Sequence, residues 1–244
     1  MALARVARLV VPHGTLERVR DLRRRRRRRR NAKRSVEEVF REVYARNAWG
    51  GTPGELCSGS GSAEEFAIPY AEAIGRFVES HGVRTILDLG CGDFSVGRLI
   101  ASERVHYTGV DVVEDVVRRN RDRHGADNVE FVRLDITSDE LPPGDLCLLR
   151  QVLQHLSNAE ILAVLERTRR YPFVIVTEHL PPAGGASRPN LDKPHGPDTR
   201  LLEDSGVFLE EEPFRQRIVE TLLDVPVREP LRRPGERIVT FRIR

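Results

Sequence analysis

From Val83 onward, short apolar runs alternate with longer amphipathic segments, and few folds accommodate this alternation. The predicted strands are RTILDL, VHYTGVDV, VEFVRLD, DLCLLRQV and PFVIVTEHL, with helices SVGRLIASE, VEDVVRRNRDRHG and NAEILAVLERTRR among them. Parallel strands need a crossover about as long as a helix, so this order predicts a parallel sheet covered on both faces. The last two strands, IVETLLDVPV and ERIVTFRIR, have a connection short enough to run antiparallel. We expect an α/β fold with a mostly parallel seven-stranded sheet and an antiparallel last strand.

Two amphipathic helices are predicted before the sheet, in SVEEVFREVYARNAW and IPYAEAIGRFVESHG. Ser35 is placed to cap the first helix, Pro69 to start or kink the second, and Gly82 to end it. The segment between them is rich in glycine, proline and serine, which favour turns. We therefore divide the chain into a helical lid over residues 35–82 and a core over residues 83–244.

Residues 1–34 form a strongly basic arm, with fourteen Lys or Arg residues against Glu17 and Asp21. Residues 23–30 are unbroken arginine, and the mutual repulsion of these side chains disfavours an isolated helix. We expect a disordered or surface-associated extension. Its charge attracts phosphates without sequence preference, so an anionic membrane surface and a nucleic acid are both candidate partners.

The composition excludes several classes of protein. The 244 residues suffice for one well-buried α/β domain with appendages, and no apolar run reaches the ~20 residues of a membrane-spanning helix. Three widely spaced cysteines, Cys57, Cys91 and Cys147, indicate neither a disulfide framework nor a zinc site. We expect a cytoplasmic location, with attachment to the inner face of the membrane through the arm as an alternative.

The stretch ILDLGCGDF places glycines directly after the first core strand. In open α/β sheets, ligands bind at the carboxyl ends of the strands, where such glycines allow close approach to the backbone. Asp111 ends the second strand and can accept hydrogen bonds from both ribose hydroxyls. Asp135 follows the third strand and can meet an adenine amino group. Tight packing alone can also explain Gly90 and Gly92, but three strand ends in phase favour a nucleoside site.

These motifs, ILDLGCGDF, YTGVDVV, VRLDI and DLCLLRQVLQHLSNAEILAVLERTRRYPFVIVTE, resemble those of class I S-adenosylmethionine-dependent methyltransferases over residues 83–180. The resemblance implies a Rossmann-like, doubly wound sheet and S-adenosylmethionine as cofactor. Dinucleotide-dependent dehydrogenases would carry a third glycine in a G-x-G-x-x-G pattern that is missing here. Many methyltransferases have a glycine where Phe94 stands, which puts the approach of the methionine portion in doubt.

The resemblance also implies which residues hold the cofactor. Asp88, Gly90, Cys91 and Gly92 would line its methionine end. The ribose and adenine would contact Asp111 with Val112, and Asp135 with Ile136. Arg150 and Gln151 would face the methionine portion from the fourth strand. Ser60, in the loop 58–62, would close over the carboxylate, although a flexible linker explains that loop equally well.

Methyl transfer to a hydroxyl needs alignment and a base. His155, just past the fourth strand, is our candidate base because its ordinary pKa suits proton transfer at neutral pH. Glu178 and His179, where the fifth strand ends, are expected to face the same mouth and to orient the acceptor or polarise the base. A divalent ion such as Mg²⁺ could bind there too, but the sequence has no dense carboxylate cluster, so no metal ligand is assigned.

The segment PPAGGASRPNLDKPHGPDTRLLEDSG is long and polar, and is expected to recognise the acceptor. Its Asn190, Asp192, His195, Asp198 and Arg200 offer the hydrogen-bonding groups that a polyol needs. NAWGGTPGELCSGSGS and NLDKPHGPDTRLLEDSGVFLEEEPF also resemble a bacterial methyltransferase group linked to sugar and polysaccharide modification. We expect an O-methyltransferase acting on a saccharide or glycosylated small molecule. The alternatives are a nucleic-acid methyltransferase that uses the arginine arm, and a non-catalytic cofactor-binding scaffold.

Overall fold

Seven strands form one sheet in the computed structural model, which describes residues 13–52, 54–184, 188–228 and 234–244. They are β1 (Thr85–Leu89), β2 (His106–Asp111), β3 (Val129–Arg133), β4 (Leu146–Arg150), β5 (Phe173–Leu180), β6 (Ile218–Pro226) and β7 (Arg237–Ile243). Their order across the sheet is β3-β2-β1-β4-β5-β7-β6. The strands β1 to β5 pair in parallel, and β7 is antiparallel to both β5 and β6. The predicted Rossmann-like, doubly wound, mostly parallel sheet with an antiparallel last strand is confirmed.

The described helices are α1 (His13–Asn31), α2 (Val36–Ala45), α3 (Glu64–His81), α4 (Glu114–His124) and α5 (Asn158–Thr168). None of these is long and apolar enough to cross a bilayer. The helix predicted for SVGRLIASE is wrong, since that segment contains only the 3-10 turn Gly97–Leu99. It packs closely on β2, where a Cβ atom at Gly97 would lie 2.3 Å from the Tyr107 hydroxyl oxygen.

Burial on both faces explains why the central strands are continuous apolar runs. Successive side chains of a strand point to opposite faces. Ile86 therefore packs in the layer that contains α3, whereas Leu87 packs in the layer that contains α2 and α5. The sheet and its two helical layers fix the carboxyl ends of β1, β2 and β4 as one rigid edge.

The ends of the N-terminal helices follow local sequence signals. Ser35 caps α2 in a reciprocal arrangement, in which its hydroxyl accepts the Glu38 N–H and the Glu38 carboxylate accepts the Ser35 N–H. Gly82 ends α3 with a left-handed φ of 64°. The helix α3 starts earlier than predicted, at Glu64, so that Pro69 lies inside it.

The basic arm is helical over residues 13–31, which differs from the predicted disordered extension. Acidic partners outside the helix offset the repulsion among its arginines. Arg27 pairs with Asp198 and Arg28 pairs with Glu203, both on the segment that follows β5. Residues 1–12 of the predicted arm, and residues 229–233 of the connection between the last two strands, lie outside the described residues.

The cap of α2 gives a test of the N-terminal architecture. Replacing Ser35 by alanine removes a cap hydrogen bond, so we expect the free energy of unfolding to fall by about 1 kcal/mol in urea titrations. Ser102→Ala, on an exposed loop, is the matched control and should leave stability unchanged. Equal stability of the two variants would contradict a cap contribution at residue 35.

Candidate active site

The chain turns sharply after β1, and two glycines make the turn. Gly90 and Gly92 have left-handed φ values of 79° and 57°, which favour glycine. Space is also short, because a Cβ atom at Gly90 would lie 2.5 Å from Val152 Cγ2, and one at Gly92 would lie 2.2 Å from Ser58 Oγ. The turn therefore brings bare backbone to the edge of the sheet.

Phe94 stands where the related motif has a third glycine, and it keeps a left-handed φ of 64°. Its ring is buried, with ring centroids 4.9 Å from Phe131 and 5.3 Å from Tyr107. Because the ring points into the core, this departure from the motif leaves the glycine turn open on its outer side.

Carboxylates lie at the carboxyl ends of β1 and β2, where Asp88 is the second-last residue of β1 and Asp111 the last residue of β2. Asp88 is buried and accepts a hydrogen bond from the Tyr107 hydroxyl. Asp111 accepts the N–H groups of Gly92 at 3.2 Å and Val113 at 3.0 Å. Burial raises the pKa of Asp88 and of Asp111 to about 6.

Asp135, after β3, is held by its own turn. Its Oδ1 atom accepts the Thr137 N–H at 2.9 Å and the Thr137 hydroxyl at 2.6 Å. This fixes the carboxylate at the same edge of the sheet as Asp111. The apolar side chains of Leu134 and Ile136 flank it.

These strand ends surround a single cavity, which we call the first cavity. Every cofactor residue predicted from the sequence lines it except Ser60: Asp88, Gly90, Cys91, Gly92, Asp111, Val112, Asp135, Ile136, Arg150 and Gln151. The cavity is walled by carboxylates, apolar side chains and exposed backbone. A nucleoside joined to an amino acid requires this combination of surfaces.

The end of β4 is tied to the serine-rich loop 58–62. Arg150 donates a hydrogen bond from Nη2 to the Gly61 carbonyl at 2.6 Å, and its guanidinium lies 5.0 Å from the centre of the Tyr70 ring. Gln151 has a left-handed φ of 56°, and a Cβ atom at Gly61 would lie 2.2 Å from its Oε1 atom. The loop and the strand end therefore fit closely.

The same loop is also tied to the glycine turn. The Ser58 N–H donates to the Asp93 carboxylate at 3.0 Å, and the Asp93 N–H donates to Ser58 Oγ at 2.9 Å. Ser58 and Ser62, rather than Ser60, reach the first cavity. Ser60 begins a 3-10 turn, in which successive side chains diverge by a third of a turn, and it lines a neighbouring cavity instead.

Several residues that the sequence did not assign to the site come from α2 and the residues after it. Val36, Phe40 and Tyr44 lie on one stripe of α2, and Trp49 follows that helix; all four line the first cavity. The amphipathic pattern predicts the stripe, but the spacing does not distinguish a cavity wall from ordinary core. The region predicted as a lid thus covers the strand ends.

A second cavity adjoins the first, and the two share a wall made of Trp49, Ser58, Gly61, Gln151, Gln154 and His155. The second cavity continues to Ser60, His179 and Asp198. The two cavities therefore adjoin each other at these six residues.

His155 belongs to the shared wall and lies in the 3-10 turn Leu153–His155. Its Nδ1 atom is 3.2 Å from the Gly196 carbonyl oxygen. A carbonyl can only accept, so Nδ1 carries the proton and Nε2 carries the lone pair. Burial, aided by the nearby Lys193 charge, lowers the pKa of His155 to about 3, so the ring is neutral at physiological pH.

Glu178 and His179 do not face the same mouth, so that prediction is wrong. They are successive residues of β5 and point to opposite faces of the sheet. His179 lines the second cavity, with its Nε2 atom 3.1 Å from Glu236 Oε2. Glu178 is fully buried and lines neither cavity; it accepts the Leu153 N–H at 3.1 Å, and burial raises its pKa to about 8.

The polar segment after β5 uses most of its side chains internally. Asn190 hydrogen-bonds the backbone of Phe208 and Glu212, and Arg200 donates to the Asn158 side chain. Asp192 accepts backbone N–H groups, and His195 pairs with a carboxylate. Of the five residues expected to bind a polyol, only Asp198 lines the second cavity. Among the residues that the structure describes, no cluster of three metal-binding side chains occurs.

Comparison with known proteins agrees with this geometry. Residues 87–171 match a family model described as a methyltransferase domain. The N-methyltransferase NodS from Bradyrhizobium japonicum WM9, in complex with S-adenosyl-L-homocysteine, is 13% identical with a TM-score of 0.56 over 84% of this chain and 98% of that chain. The fold is that of the Rossmann-like methyltransferases.

Two further structures show the same fold. TnmH is 21% identical with a TM-score of 0.52, over 95% of this chain and 69% of that chain. A SAM-dependent methyltransferase from Leishmania major is 13% identical with a TM-score of 0.52, over 75% of each chain. No curated protein sequence matches this chain.

Phe94 supplies a test of the turn. Phe94→Ala removes a buried ring, so we expect the free energy of unfolding to fall by about 3–5 kcal/mol. Phe94→Gly loses the same ring, but glycine adopts the left-handed backbone conformation without steric strain. We therefore expect it to be about 1 kcal/mol more stable than the alanine variant. Urea titration of both variants measures the difference. A glycine variant no more stable than the alanine variant would contradict the left-handed backbone at residue 94.

Proposed function

We propose that the protein transfers a methyl group from S-adenosylmethionine to a hydroxyl group of a small polar acceptor, of which a saccharide is the leading example. The observation that carries this proposal is the shared wall between the two cavities, which contains His155. The match to a methyltransferase domain over residues 87–171 supports the same reaction class.

The residues of the first cavity fit the proposed cofactor. Asp111 would hold the ribose, and Asp135 with Ile136 would hold the adenine. Arg150 Nε and Gln151 Nε2 are buried and have no hydrogen-bond partner among the described residues, so they can serve a carboxylate. When bound, the cofactor supplies an electrophilic methyl group on a positively charged sulfur. The carboxylate of Asp88 lines the same cavity and can accept from an ammonium group.

The second cavity would receive the acceptor. Its polar groups, including His179, Asp198 and Thr199, and the edge of Trp49 suit a hydroxylated molecule. His155 would accept the proton that the hydroxyl loses. The hydroxyl becomes strongly acidic as its oxygen gains the methyl group, so a neutral histidine of low basicity suffices.

The arginine helix favours a second candidate, a nucleic-acid acceptor. Arg23, Arg26 and Arg29 are exposed on α1 and can contact phosphates. The same charges would serve attachment to an anionic membrane. All three cysteines are unpaired, which agrees with the proposed cytoplasmic setting.

The cofactor site should depend on pH. Asp88 and Asp111 are stronger acceptors when ionised, because a protonated carboxyl group turns one of its two oxygens into a donor, and burial raises the pKa of each to about 6. We expect the affinity for S-adenosylhomocysteine, measured by calorimetry, to fall about tenfold for each carboxylate between pH 7 and pH 5. The variant carrying both Asp88→Asn and Asp111→Asn should bind weakly at every pH. Wild-type affinity that is constant over this range would contradict the assignment.

Methyl transfer itself can be tested with a panel of glycans, small phenols and RNA, by mass spectrometry for the gain of one methyl group. We expect glycans to gain the methyl group. His155→Ala should lower kcat by about 10²–10⁴-fold, because the proton acceptor is lost. The control His106→Ala changes an exposed histidine outside both cavities and should retain activity.

The other outcomes separate the alternatives. Methylation of RNA alone would support the second candidate. Binding of S-adenosylhomocysteine with no methylated product on any acceptor would support a non-catalytic scaffold. Full activity of His155→Ala would show that His155 is not the base.

A further inference from the structure

We propose that helix α1 positions His155, acting through Asn31 and the segment 195–203. This inference rests on the proposed function, because it gives the arginine helix a role in the same site. Asn31 is a positioning residue here, since it touches neither cavity. The path runs through three sets of contacts.

The first contact joins the end of α1 to the segment. Asn31 is the last residue of α1 and is only 3% exposed. Its Nδ2 atom donates a hydrogen bond to the His195 carbonyl at 3.2 Å. A Cβ atom at Gly196 would lie 2.6 Å from that same Nδ2 atom. The helix end and the backbone of residues 195 and 196 therefore fit without spare room.

The second contact joins the segment to the proposed base. The Gly196 N–H donates to the His155 carbonyl at 2.9 Å, and His155 Nδ1 donates to the Gly196 carbonyl at 3.2 Å. The pair fixes both the backbone and the ring of His155. It also fixes the tautomer, because a proton on Nδ1 leaves the lone pair on Nε2. A shift of Gly196 would release the ring and permit the other tautomer.

The third set of contacts consists of ion pairs. Arg27 pairs with Asp198, and Arg28 pairs with Glu203. Residues 27, 28 and 31 are neighbours on one face of the helix. The Arg28 and Glu203 side chains are only 18% and 25% exposed, so solvent screens this pair less than a surface pair. Asp198 also lines the second cavity, so α1 braces one wall of it.

The arginine run thus has two faces with different roles. Arg27 and Arg28 face the body of the protein and hold the segment 195–203. Arg26 and Arg29 are exposed. Charge at position 28 should therefore affect His155, whereas charge at position 26 should not.

The test uses the full chain and reads the tautomer of His155 by ¹⁵N NMR of its side-chain nitrogens. In the wild type we expect Nδ1 to be protonated. In Asn31→Ala and in Arg28→Glu, we expect a large fraction of the Nε2-protonated form. The double variant Arg28→Glu with Glu203→Arg restores the ion pair with reversed charges and should restore the wild-type tautomer. Arg26→Glu is the matched control and should match the wild type.

Kinetics supply the second readout. In Asn31→Ala and Arg28→Glu we expect kcat to fall about ten- to hundredfold, because a small displacement of a catalytic group is costly. The Kd for S-adenosylhomocysteine should stay within twofold, since neither residue lines the first cavity. The charge-reversed double variant should recover most of kcat. If Asn31→Ala does not fold, the test rests on Arg28→Glu and on the double variant Arg28→Glu with Glu203→Arg.

An unchanged tautomer in Arg28→Glu would overturn the proposal, as would an equal effect from Arg26→Glu. The NMR result is independent of turnover. A tautomer shift in a protein that methylates no acceptor would confirm the positioning by α1 and contradict the proposed function.

Discussion

The parallel pairing of β1 with β2 and β4 determines where the polar groups of the site lie. It brings the carboxyl ends of these strands to one edge, where Asp88 and Asp111 are buried beside the glycine turn. Burial disfavours their charged forms, and a pKa raised from 3.8 to about 6 corresponds to a cost on the order of 3 kcal/mol for each carboxylate above pH 6. That cost is nearly absent below pH 4, grows between about pH 4 and pH 6, and is fully present above pH 6. A bound ligand with several hydrogen-bond donors would offset it.

The N-terminal part of the chain supplies the walls of the first cavity that the sheet does not provide. The stripe of α2 forms one wall of the first cavity, and the loop 58–62 is tied by Ser58 to the glycine turn and by Gly61 to Arg150. The helix α1 then braces the segment after β5. The two cavities therefore depend on residues more than a hundred positions apart, which agrees with a site that assembles only in the complete fold.

Local sequence patterns predicted the residues whose position follows from a single strand end. Gly90, Asp111 and Asp135 each lie at or within two residues of the carboxyl end of a strand, and parallel strands place such residues together. The prediction for Glu178 was wrong because the alternation along β5 turns its side chain away from His179. Within the 3-10 turn Ser60–Ser62, Ser62 lines the first cavity and Ser60 lines the second. Placement within a turn depends on local backbone geometry, which composition does not encode.

Other features could not be predicted because they depend on distant partners. The arginine run is unfavourable as an isolated helix, and its structure relies on Asp198 and Glu203, about 170 residues later. The same holds for the polar segment after β5, whose side chains suggested a polyol site but mainly bond to backbone groups and to residues of α5. Phe94 departs from the glycine that many related motifs carry at this position. Its ring packs in the aromatic core against Tyr107 and Phe131.

A crystal structure of the chain with S-adenosylhomocysteine and a glycan acceptor would show whether the first cavity holds the cofactor and the second holds the acceptor. We expect the ribose on Asp111, the sulfur facing the shared wall, and an acceptor hydroxyl within hydrogen-bond distance of His155 Nε2. A nucleoside bound away from the ends of β1, β2 and β3, or a sulfur directed away from the second cavity, would contradict this arrangement.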